Sequence, residues 1–285
     1  MSKFTFEKAL DTAWCPGCGD HMILSTLVQV LNDMQLDPLQ TVLVGGIGQA
    51  AKTNQYVNAN GFSGLHGRSL PAAVGIKMAN EKLTVIVNTG DGDSYGEGGN
   101  HFLHNIRRNV DITHFVHDNQ IYGLTKGQTS PTSNACVPET MGTACNMNQP
   151  LNPMLLAIAA GATFVARSFS GKPQHLAKIM QAAIEHKGYS LVDILQPCVS
   201  FNKVNTFAYY NSRVYELEDG YDPTNKLAAI ERSMEFDDRI PIGILYQNKG
   251  IPDYQSIRPD LYNGMAVGDK KTDSTQIDAL INGFA

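Results

Sequence analysis

Hydrophobic residues recur at helical spacing in the segment that follows the first two cysteines. The apolar positions lie three or four residues apart, as on one face of a helix. They are Ile23, Leu24, Leu27, Val28, Leu31 and Met34. The dipeptide Asp37-Pro38 comes next, and such a pair ends a helix because proline cannot continue it. The pattern predicts one amphipathic helix ahead of the rest of the fold.

Five short apolar runs rich in Val, Ile and Phe follow this helix, and each ends in a polar or glycine-rich turn. The runs span residues 41–44, 83–88, 112–117, 163–167 and 190–195. Helical patterns lie near residues 70–80, 98–109, 153–160 and 173–187. Such alternation is typical of βαβ units with parallel strands. We therefore predict the α/β fold class, with an open, mostly parallel twisted sheet and helices on both faces.

The periodicity fades beyond residue 200 into sequence rich in Asn, Tyr, Asp and Pro. A helical stretch near residues 225–235 and an apolar run over 240–246 are the exceptions. We expect residues 1–200 to form one α/β domain that includes the N-terminal cysteine segment. Residues 201–285 are predicted to be a C-terminal extension that docks against another subunit.

Composition narrows the possible functions. The chain has 285 residues, of which 42% are hydrophobic and 17% charged, and this suits a sizeable folded domain. Its net charge of -5 and the lack of a lysine or arginine run argue against binding to nucleic acids or anionic membranes. The N-terminal segment carries Lys3, Glu7 and Lys8 and no signal-peptide core, and no later stretch could span a bilayer. We expect a cytoplasmic protein.

Glycine, aspartate and amide side chains collect where the predicted strands end. They occur in segments 45–48, 90–93, 118–120 and 196–198. Right-handed crossovers place the carboxyl ends of the strands at one edge of the sheet, and ligands of open α/β sheets bind at that edge. We therefore expect a ligand site there.

The motif GDGD at 90–93, followed by Asn119, predicts a metal-bridged diphosphate site. Asp91 and Asn119 come at the ends of neighbouring strands, where carboxylate and amide oxygens can converge on Mg²⁺, which grips a diphosphate. Glycines shortly after the motif let backbone N–H groups approach phosphate oxygens at a helix N-terminus. The alternative is an ordinary βα turn with a strand-capping asparagine, since such turns favour glycine and aspartate for conformational reasons.

The cysteines favour a metal or cluster site over disulfides. Five are present, an odd number for a disulfide framework. Cys15 and Cys18 have the spacing shared by zinc and iron–sulfur half-sites, and the remote Cys198 at a strand end is a candidate third ligand. Cys136 and Cys145 lie in an irregular loop without a partner at ligand spacing, so we interpret them as free cysteines.

Three basic side chains are candidates to meet an anionic substrate or the diphosphate. Lys52 follows the first glycine-rich turn, His66 precedes a predicted helix, and Lys126 follows the third strand. A lone lysine or histidine is more often a satisfied surface or core group. Their positions relative to the strands decide between the two interpretations.

Several longer motifs occur in one order along nearly the whole chain. They are WCPGCG at 14–19, the segment 61–68 ending in HGR, GDGD at 90–93 with GGNH at 98–101, RRN at 107–109, DNQIYGLTKGQ at 118–128 with SPT at 130–132, ARSF at 166–169 and LQPC at 195–198. This combination is highly specific, and it resembles the beta subunits of 2-oxoacid:ferredoxin oxidoreductases. The likeness is greatest to two-subunit members that act on 2-oxoglutarate or on a broad set of 2-oxoacids.

The resemblance implies a bound thiamine diphosphate, held through Mg²⁺ by Asp91, Asn119 and the backbone carbonyl near Ile121. The further residues that it implies around the cofactor are Gly48, His66, Gly90, Gly92, Asp93, Gly123 and Leu124. The candidate catalytic residues are Lys52, His66 and Lys126.

The reaction that the resemblance implies is oxidative decarboxylation of a 2-oxoacid, with 2-oxoglutarate favoured. Carbon dioxide leaves, coenzyme A takes the acyl group, and electrons pass one at a time through a [4Fe–4S] cluster to ferredoxin, in a reversible sequence. Cys15, Cys18 and Cys198 would bind the cluster. The expected partners are an alpha subunit, ferredoxin, coenzyme A and the 2-oxoacid, with no nucleic acid and no membrane. The alpha subunit is expected because the family takes the glutamate that activates the cofactor from that chain.

One position departs from the pattern of the family. The remaining cluster cysteine of the family follows the GIG turn, where this chain has Gln49. An amide oxygen is a hard, neutral ligand and a poor substitute for a thiolate on an iron–sulfur cluster. Three interpretations stay open: an unusual fourth ligand completes the cluster, Cys136 or Cys145 moves in from its loop, or the cluster is lost or altered.

Loss of the cluster would change the predicted function. The cofactor chemistry would then end in protonation, giving a non-redox thiamine-dependent 2-oxoacid decarboxylase or carboligase. A third hypothesis, without enzyme activity, is an interaction module held together by zinc, and it predicts no diphosphate site. Bound iron, sulfide and thiamine diphosphate distinguish the three.

Overall fold

Helices and strands alternate along residues 3–6, 11–135, 146–271 and 273–284, the parts of the chain that the computed structural model describes. The helices are α1 (Gly19–Asp33), α2 (Thr53–Tyr56), α3 (Ser69–Ala79), α4 (Gly99–Arg108), α5 (Pro153–Ala160), α6 (Pro173–Glu185), α7 (Phe207–Asn211), α8 (Lys226–Met234) and α9 (Ser274–Asn282). None of these described helices combines the length and the apolar character needed to cross a bilayer.

Ten strands lie between the helices of the described ranges. They are β1 (Thr41–Gly45), β2 (Asn60–Ser63), β3 (Thr84–Gly90), β4 (Thr113–Asp118), β5 (Ile121–Tyr122), β6 (Gln128–Thr129), β7 (Phe164–Phe169), β8 (Ser190–Leu195), β9 (Val214–Glu216) and β10 (Ile240–Gln247). A π-helical turn, Gly92–Glu97, connects β3 to α4.

Eight strands form one sheet in the order β2-β1-β3-β4-β8-β7-β10-β9. The first six in this order run parallel to one another, β10 pairs antiparallel with β7, and β9 runs parallel to β10. β5 and β6 form a separate antiparallel hairpin after β4. The prediction of an open, mostly parallel sheet is confirmed.

Both faces of the sheet are buried, which is why its strands are continuous apolar runs rather than alternating ones. Leu43 of β1 packs with α1 and α6 on one face of the sheet. Its neighbours Val42 and Val44 point the opposite way and pack with α3, α4 and α5. The predicted placement of helices on both faces is confirmed.

The segment after residue 200 continues the same sheet. It contributes β9 and β10, and Ala229 of α8 is fully buried in the core that includes α5. The final helix, α9, buries none of its described side chains. The domain boundary at residue 200 and the subunit-docking role of the extension stay predictions.

Asn109 joins the end of α4 to the strands beside it. It follows the helix in the left-handed conformation, with a φ of 50°, which asparagine tolerates better than most residues. Its Oδ1 accepts hydrogen bonds from the Thr163 hydroxyl at 2.7 Å and from Tyr189 N–H at 2.9 Å. Its Nδ2 donates to the Pro252 carbonyl at 3.0 Å. One buried amide therefore fixes the starts of β7 and β8, and the C-terminal segment, against the helix.

Replacing Asn109 with alanine is expected to lower the free energy of unfolding by about 2–4 kcal/mol, because three hydrogen bonds are lost and the buried Tyr189 N–H loses its acceptor. Urea unfolding followed by circular dichroism measures the change. Asn100→Ala, at an exposed position of the same helix, is the control and should change the free energy by less than about 0.5 kcal/mol. Equal effects of the two substitutions would contradict this role of Asn109.

Candidate functional site

A pocket opens where β1, β3 and β4 end, at the edge of the sheet that was predicted to bind a ligand. We call it the strand-end pocket. All ten residues predicted to surround the cofactor line it: Gly48, His66, Gly90, Asp91, Gly92, Asp93, Asn119, Ile121, Gly123 and Leu124. They come together because β3 lies between β1 and β4 in the sheet, so the turns after these strands are neighbours.

The two candidate lysines do not line this pocket. Lys52 is half-buried and ends a short 3₁₀ turn that leads into α2. Lys126 is exposed in the turn between β5 and β6, with a left-handed φ of 77°. Ala50 and Thr125, close to them in sequence, do line the pocket. The structure thus places both lysines beside the pocket rather than in its wall, and their catalytic role stays a prediction.

Asp91 is buried directly after β3 and receives two hydroxyl groups. Ser130 Oγ and Thr132 Oγ1 both donate to Asp91 Oδ2, the latter at 2.7 Å. Burial raises the pKa of Asp91 above its ordinary value, and the two hydroxyl groups oppose that shift. A divalent cation would favour the ionised form more strongly than hydroxyl groups do. The carboxylate therefore suits a metal ligand.

Thr132 couples Asp91 to a second buried carboxyl group. Thr132 Oγ1 lies 2.7 Å from Asp91 Oδ2 and 2.8 Å from Asp118 Oδ1. Since a hydroxyl has one hydrogen to donate, one of these contacts needs a proton from the carboxyl side. Burial, followed by the charges of Asp193 and Asp91, raises the pKa of Asp118 well above its ordinary value. Burial thus favours a proton shared within this pair of carboxyl groups, and Thr132 links the two.

Asp93 ties three turns together at the wall of the pocket. Its Oδ1 accepts hydrogen bonds from Gly67 N–H at 2.8 Å and Ile47 N–H at 3.2 Å, and it lies 2.6 Å from His66 Nδ1. Gly46 has no room for a side chain, because a Cβ there would lie 2.0 Å from Asp93 Oδ2. That second oxygen is buried without a hydrogen-bond partner among the described residues.

Glu97 and Tyr122 extend this network and were not predicted from the sequence. His66 Nε2 lies 3.6 Å from Glu97 Oε2, and the Tyr122 hydroxyl donates to the same oxygen at 3.0 Å. His66 is thus held between a buried carboxylate, Asp93, and a half-exposed one. Tyr122 stands inside the motif at 118–128 and Glu97 lies between the motifs at 90–93 and 98–101, but their types and spacing gave no separate indication that they meet.

Asn119 forms a tight turn at the end of β4. Its Oδ1 accepts the Ile121 N–H at 3.1 Å, and Gln120 between them has a left-handed φ of 58°. Asn202 Nδ2 donates to the Asn119 carbonyl at 3.0 Å. The turn that brings Asn119 and Ile121 into the pocket lining is therefore held in part by a residue from the C-terminal segment.

A second cavity, which we call the cysteine cavity, adjoins the strand-end pocket. The three predicted thiol ligands line it: Cys15, Cys18 and Cys198. Gln49, at the position that departs from the family pattern, also lines it. Gln49, Asn119 and Gly123 line both the cavity and the pocket, so the two share a wall. The other two cysteines, Cys136 and Cys145, lie outside the described residues.

The sulfur atoms of the cysteine cavity accept hydrogen bonds. Gln196 Nε2 lies 3.3 Å from Cys18 Sγ, and Ser200 Oγ lies 2.9 Å from Cys15 Sγ. Burial, and next the charge of Asp20, raises the pKa of the Cys18 thiol above its ordinary value. Such a thiol stays protonated until a bound cation displaces the proton. Hydrogen-bond donors aimed at sulfur therefore suit thiolates that bind a metal.

The spread of the thiols bears on what this cavity can hold. Across the described ranges, no three His, Cys, Asp or Glu side chains lie close enough together to hold one metal ion. Cys15, Cys18 and Cys198 line one cavity, and thiolates are the ligands that iron–sulfur clusters take.

Two family models match the chain. Residues 44–194 match the C-terminal thiamine pyrophosphate-binding domain of thiamine pyrophosphate enzymes. Residues 198–262 match the C-terminal part of the beta subunit of pyruvate ferredoxin oxidoreductase. The first match contains the whole lining of the strand-end pocket, and it supports thiamine diphosphate as the ligand of that pocket.

Curated relatives identify the family. The beta subunit of 2-oxoacid:ferredoxin oxidoreductase 1 from Aeropyrum pernix is 46% identical over 246 residues, which are 82% of this chain and 77% of the relative. The corresponding subunit from Saccharolobus solfataricus is 46% identical over 85% of this chain and 84% of the relative. This chain is a 2-oxoacid:ferredoxin oxidoreductase beta subunit. The KorB subunit of 2-oxoglutarate oxidoreductase from Mycobacterium tuberculosis is 41% identical over 69% of this beta subunit and 53% of the relative.

A solved structure shares the fold of the beta subunit over nearly its whole length. It is 2-oxoglutarate:ferredoxin oxidoreductase from Magnetococcus marinus with 2-oxoglutarate, coenzyme A and succinyl-CoA bound. The TM-score is 0.88 at 34% sequence identity, covering 96% of this chain and 94% of that chain. The family and the oxidoreductase class predicted from the motifs are confirmed.

Gly92→Ala is expected to weaken thiamine diphosphate binding, because the added Cβ would lie 2.2 Å from Tyr122 Cε1 and displace that ring from the pocket wall. Forced repacking costs about 1–3 kcal/mol, which corresponds to a roughly 5- to 150-fold higher Kd. Calorimetric titration of the αβ complex with thiamine diphosphate measures the Kd. Gly75→Ala is the control, because Gly75 is exposed on α3, lies outside the pocket lining, and a Cβ there meets nothing within 4 Å. A similar Kd for both variants would show that the position of the Tyr122 ring does not affect thiamine diphosphate binding.

Proposed function

We propose that this beta subunit carries the thiamine diphosphate of an enzyme that oxidatively decarboxylates a 2-oxoacid, with 2-oxoglutarate favoured. The products are the acyl-CoA and CO₂, the electrons pass through a [4Fe–4S] cluster to ferredoxin, and the reaction is reversible. The observation that carries the proposal is the wall of Gln49, Asn119 and Gly123 that the strand-end pocket shares with the cysteine cavity. A shared wall supports the proposal because electrons would have only a short distance to pass between a cofactor in the pocket and a cluster in the cavity.

Mg²⁺ is assigned to Asp91, Asn119 and the backbone carbonyl of Ile121. These are the hard oxygen donors that Mg²⁺ prefers, and all three residues line the pocket. A buried ionised carboxylate is costly unless a cation balances it. Asp91 lines the pocket and Asp118 does not, so Asp91 is the carboxylate of the pair that a cation in the pocket would balance.

Residues of the pocket position the cofactor and the reacting groups. Thiamine diphosphate, when bound, supplies the nucleophilic carbon that attacks the 2-oxo group. A Cβ at Gly48 or Gly90 would meet nothing within 4 Å, so these glycines leave open space and let the backbone approach the diphosphate. His66, held between Asp93 and Glu97, is oriented to hold or move a proton at its imidazole nitrogens.

Lys52 and Lys126 are assigned to the carboxylates of the substrate. Both lie beside the strand-end pocket, and a long flexible ammonium side chain can reach an anion inside it. Support for 2-oxoglutarate comes from the names of two relatives, the Mycobacterium tuberculosis subunit and the Magnetococcus marinus enzyme. The latter also has coenzyme A bound, which supports coenzyme A as the acyl acceptor here.

An alpha subunit is proposed to complete the site. Among the described residues that line the strand-end pocket, none is a glutamate that could activate the cofactor. The relatives are beta subunits of enzymes with further subunits, so a partner chain is available to supply one. Ferredoxin is proposed as the electron acceptor of the same complex, in the cytoplasm.

A second candidate function follows from Gln49. In this second function the cysteine cavity, which has no fourth thiolate among the described residues, holds no redox-active cluster. The complex would then be a non-redox decarboxylase or carboligase that uses the same strand-end pocket.

Anaerobic purification with the alpha subunit tests the two functions. We expect thiamine diphosphate together with about four irons and four sulfides beyond those of the alpha subunit. Ferredoxin reduction should then require both the 2-oxoacid and coenzyme A, and 2-oxoglutarate should give a higher kcat/KM than pyruvate. Thiamine diphosphate without iron, with CO₂ released in the absence of coenzyme A and ferredoxin, would instead establish the decarboxylase.

Thr132→Val is expected to raise the Mg²⁺ concentration needed for half-maximal thiamine diphosphate binding by roughly 10- to 100-fold, because Asp91 loses a hydroxyl donor that orients it. Calorimetry at a series of Mg²⁺ concentrations measures the shift. Thr113→Val is the matched control. Thr113 is buried, as Thr132 is, but it lies at the start of β4, and its hydroxyl donates to the Ala183 carbonyl at 3.4 Å, away from the pocket. An unchanged Mg²⁺ requirement for Thr132→Val would remove Asp91 from the metal site or Thr132 from its support.

A further inference from the structure

We propose that the side-chain oxygen of Gln49 is the fourth ligand of the [4Fe–4S] cluster, and that the iron it binds faces the strand-end pocket. The other three irons are bound by Cys15, Cys18 and Cys198. The inference rests on the proposed function, because it presupposes the cluster. In the proposed cluster, one of the four irons has a neutral oxygen ligand in place of a thiolate.

Gln49 stands where the two sites meet. It lines the cysteine cavity together with the three thiols, and it also lines the strand-end pocket with Asp91. Within the described residues, the free thiols are those three cysteines. No described sulfur therefore competes with Gln49 for the fourth corner. The oxygen-bound iron is then the one nearest to the substrate chemistry.

The backbone of Gln49 is fixed by Trp14. The indole Nε1 donates to the Gln49 carbonyl at 3.0 Å. The indole is itself buried and packs edge-on against Tyr56 and His21, with ring centroids 4.9 and 5.4 Å away. Trp14 precedes the first cysteine directly, so one side chain joins the Cys15 segment to the turn that carries Gln49.

The side-chain oxygen of Gln49 has no other role in the described structure. Oε1 is buried and has no hydrogen-bond partner among the described residues. A buried amide oxygen without a partner is costly and rare. Binding to an iron ion would remove that cost, because amide oxygens are electron-pair donors.

The remaining corners are supported as thiolates. Gln196 and Ser200 lie at hydrogen-bond distance from the sulfur atoms of Cys18 and Cys15. Three thiolates, two of them with hydrogen-bond donors, and one neutral oxygen give a cluster that is less negative by one charge than a four-thiolate cluster. Its reduction potential should therefore be higher, and its oxygen-bound iron should dissociate more readily.

Oxidation of the anaerobically purified αβ complex tests the ligand through iron loss. Ferricyanide takes one electron from [4Fe–4S]²⁺, and the resulting [4Fe–4S]³⁺ gives [3Fe–4S]⁺ and free Fe²⁺ when one iron lacks a thiolate. Electron paramagnetic resonance counts the [3Fe–4S]⁺, and a chelator counts the iron. Signals from the alpha subunit purified alone are subtracted.

Gln49→Cys supplies the fourth thiolate of the family and should lose iron more slowly than the unaltered protein. We expect the rate to fall by roughly 10- to 100-fold or more, since changes to groups around metal ligands already have effects of that size. Its reduction potential should be lower. Gln55→Ala is the matched control, because Gln55 is exposed on α2 and lines neither the pocket nor the cavity. It should match the unaltered protein in both measurements.

Electron–nuclear double resonance of the reduced cluster in H₂¹⁷O distinguishes the amide oxygen from water. With Gln49 bound, the unaltered protein should show no ¹⁷O coupling. Gln49→Ala, which leaves that iron to water, should show one.

Two results would overturn the inference and leave the proposed function intact. One is a cluster in the unaltered protein that resists iron loss as well as Gln49→Cys does. The other is equal ¹⁷O coupling in the unaltered protein and in Gln49→Ala. Absence of iron and sulfide from the anaerobic complex would instead overturn the proposed electron path, on which the inference depends.

Discussion

The site depends most on the hydrogen bonds that the Asp93 carboxylate makes. One of its oxygens takes hydrogen bonds from the turn after β1 and from the turn before α3, and it also meets His66. Asp93 itself belongs to the π-helical turn after β3, so three segments that are distant in sequence are held at one atom. The turn after β1 also leads to Gln49. A single buried carboxylate thereby sets the shape of the strand-end pocket and the position of its shared wall.

Burial of ionisable groups explains much of the remaining architecture. Asp91, Asp118 and Asp193 are all fully buried near the ends of adjacent strands, and burial raises the pKa of each, that of Asp193 to about 6. Hydroxyl groups share the available hydrogens among the carboxyls, and Tyr95 donates to Asp193 at 2.9 Å. A folded chain holds so many buried acids only where protons or cations balance them. The same principle applies to the buried thiol of Cys18 in the neighbouring cavity.

The sequence predicted the central strands and the pocket lining well, because buried parallel strands are continuous apolar runs and their ends carry glycine and aspartate. It did not place β2, whose residues 60–63 are all exposed and lack an apolar pattern. The apolar run at 240–246 was recognised, but periodicity alone could not show that β10 pairs antiparallel with β7. Glu97, Tyr122 and Thr132 were missed as site residues because their importance comes from contacts between turns. Residue type and spacing do not encode which turns meet.

The cysteine cavity is built from two segments that are far apart in the sequence, and this orders its assembly in time. Ser200, which meets Cys15, follows it by 185 residues. At synthesis rates of about 5–20 residues per second, the second half of the cavity leaves the ribosome roughly 10–40 s after the first. During that interval the Cys15 and Cys18 thiols have no partner from the segment around Cys198. The cavity closes only when the nascent chain has passed β8 and reached Cys198, so a group held by all three thiols can be enclosed only after that point.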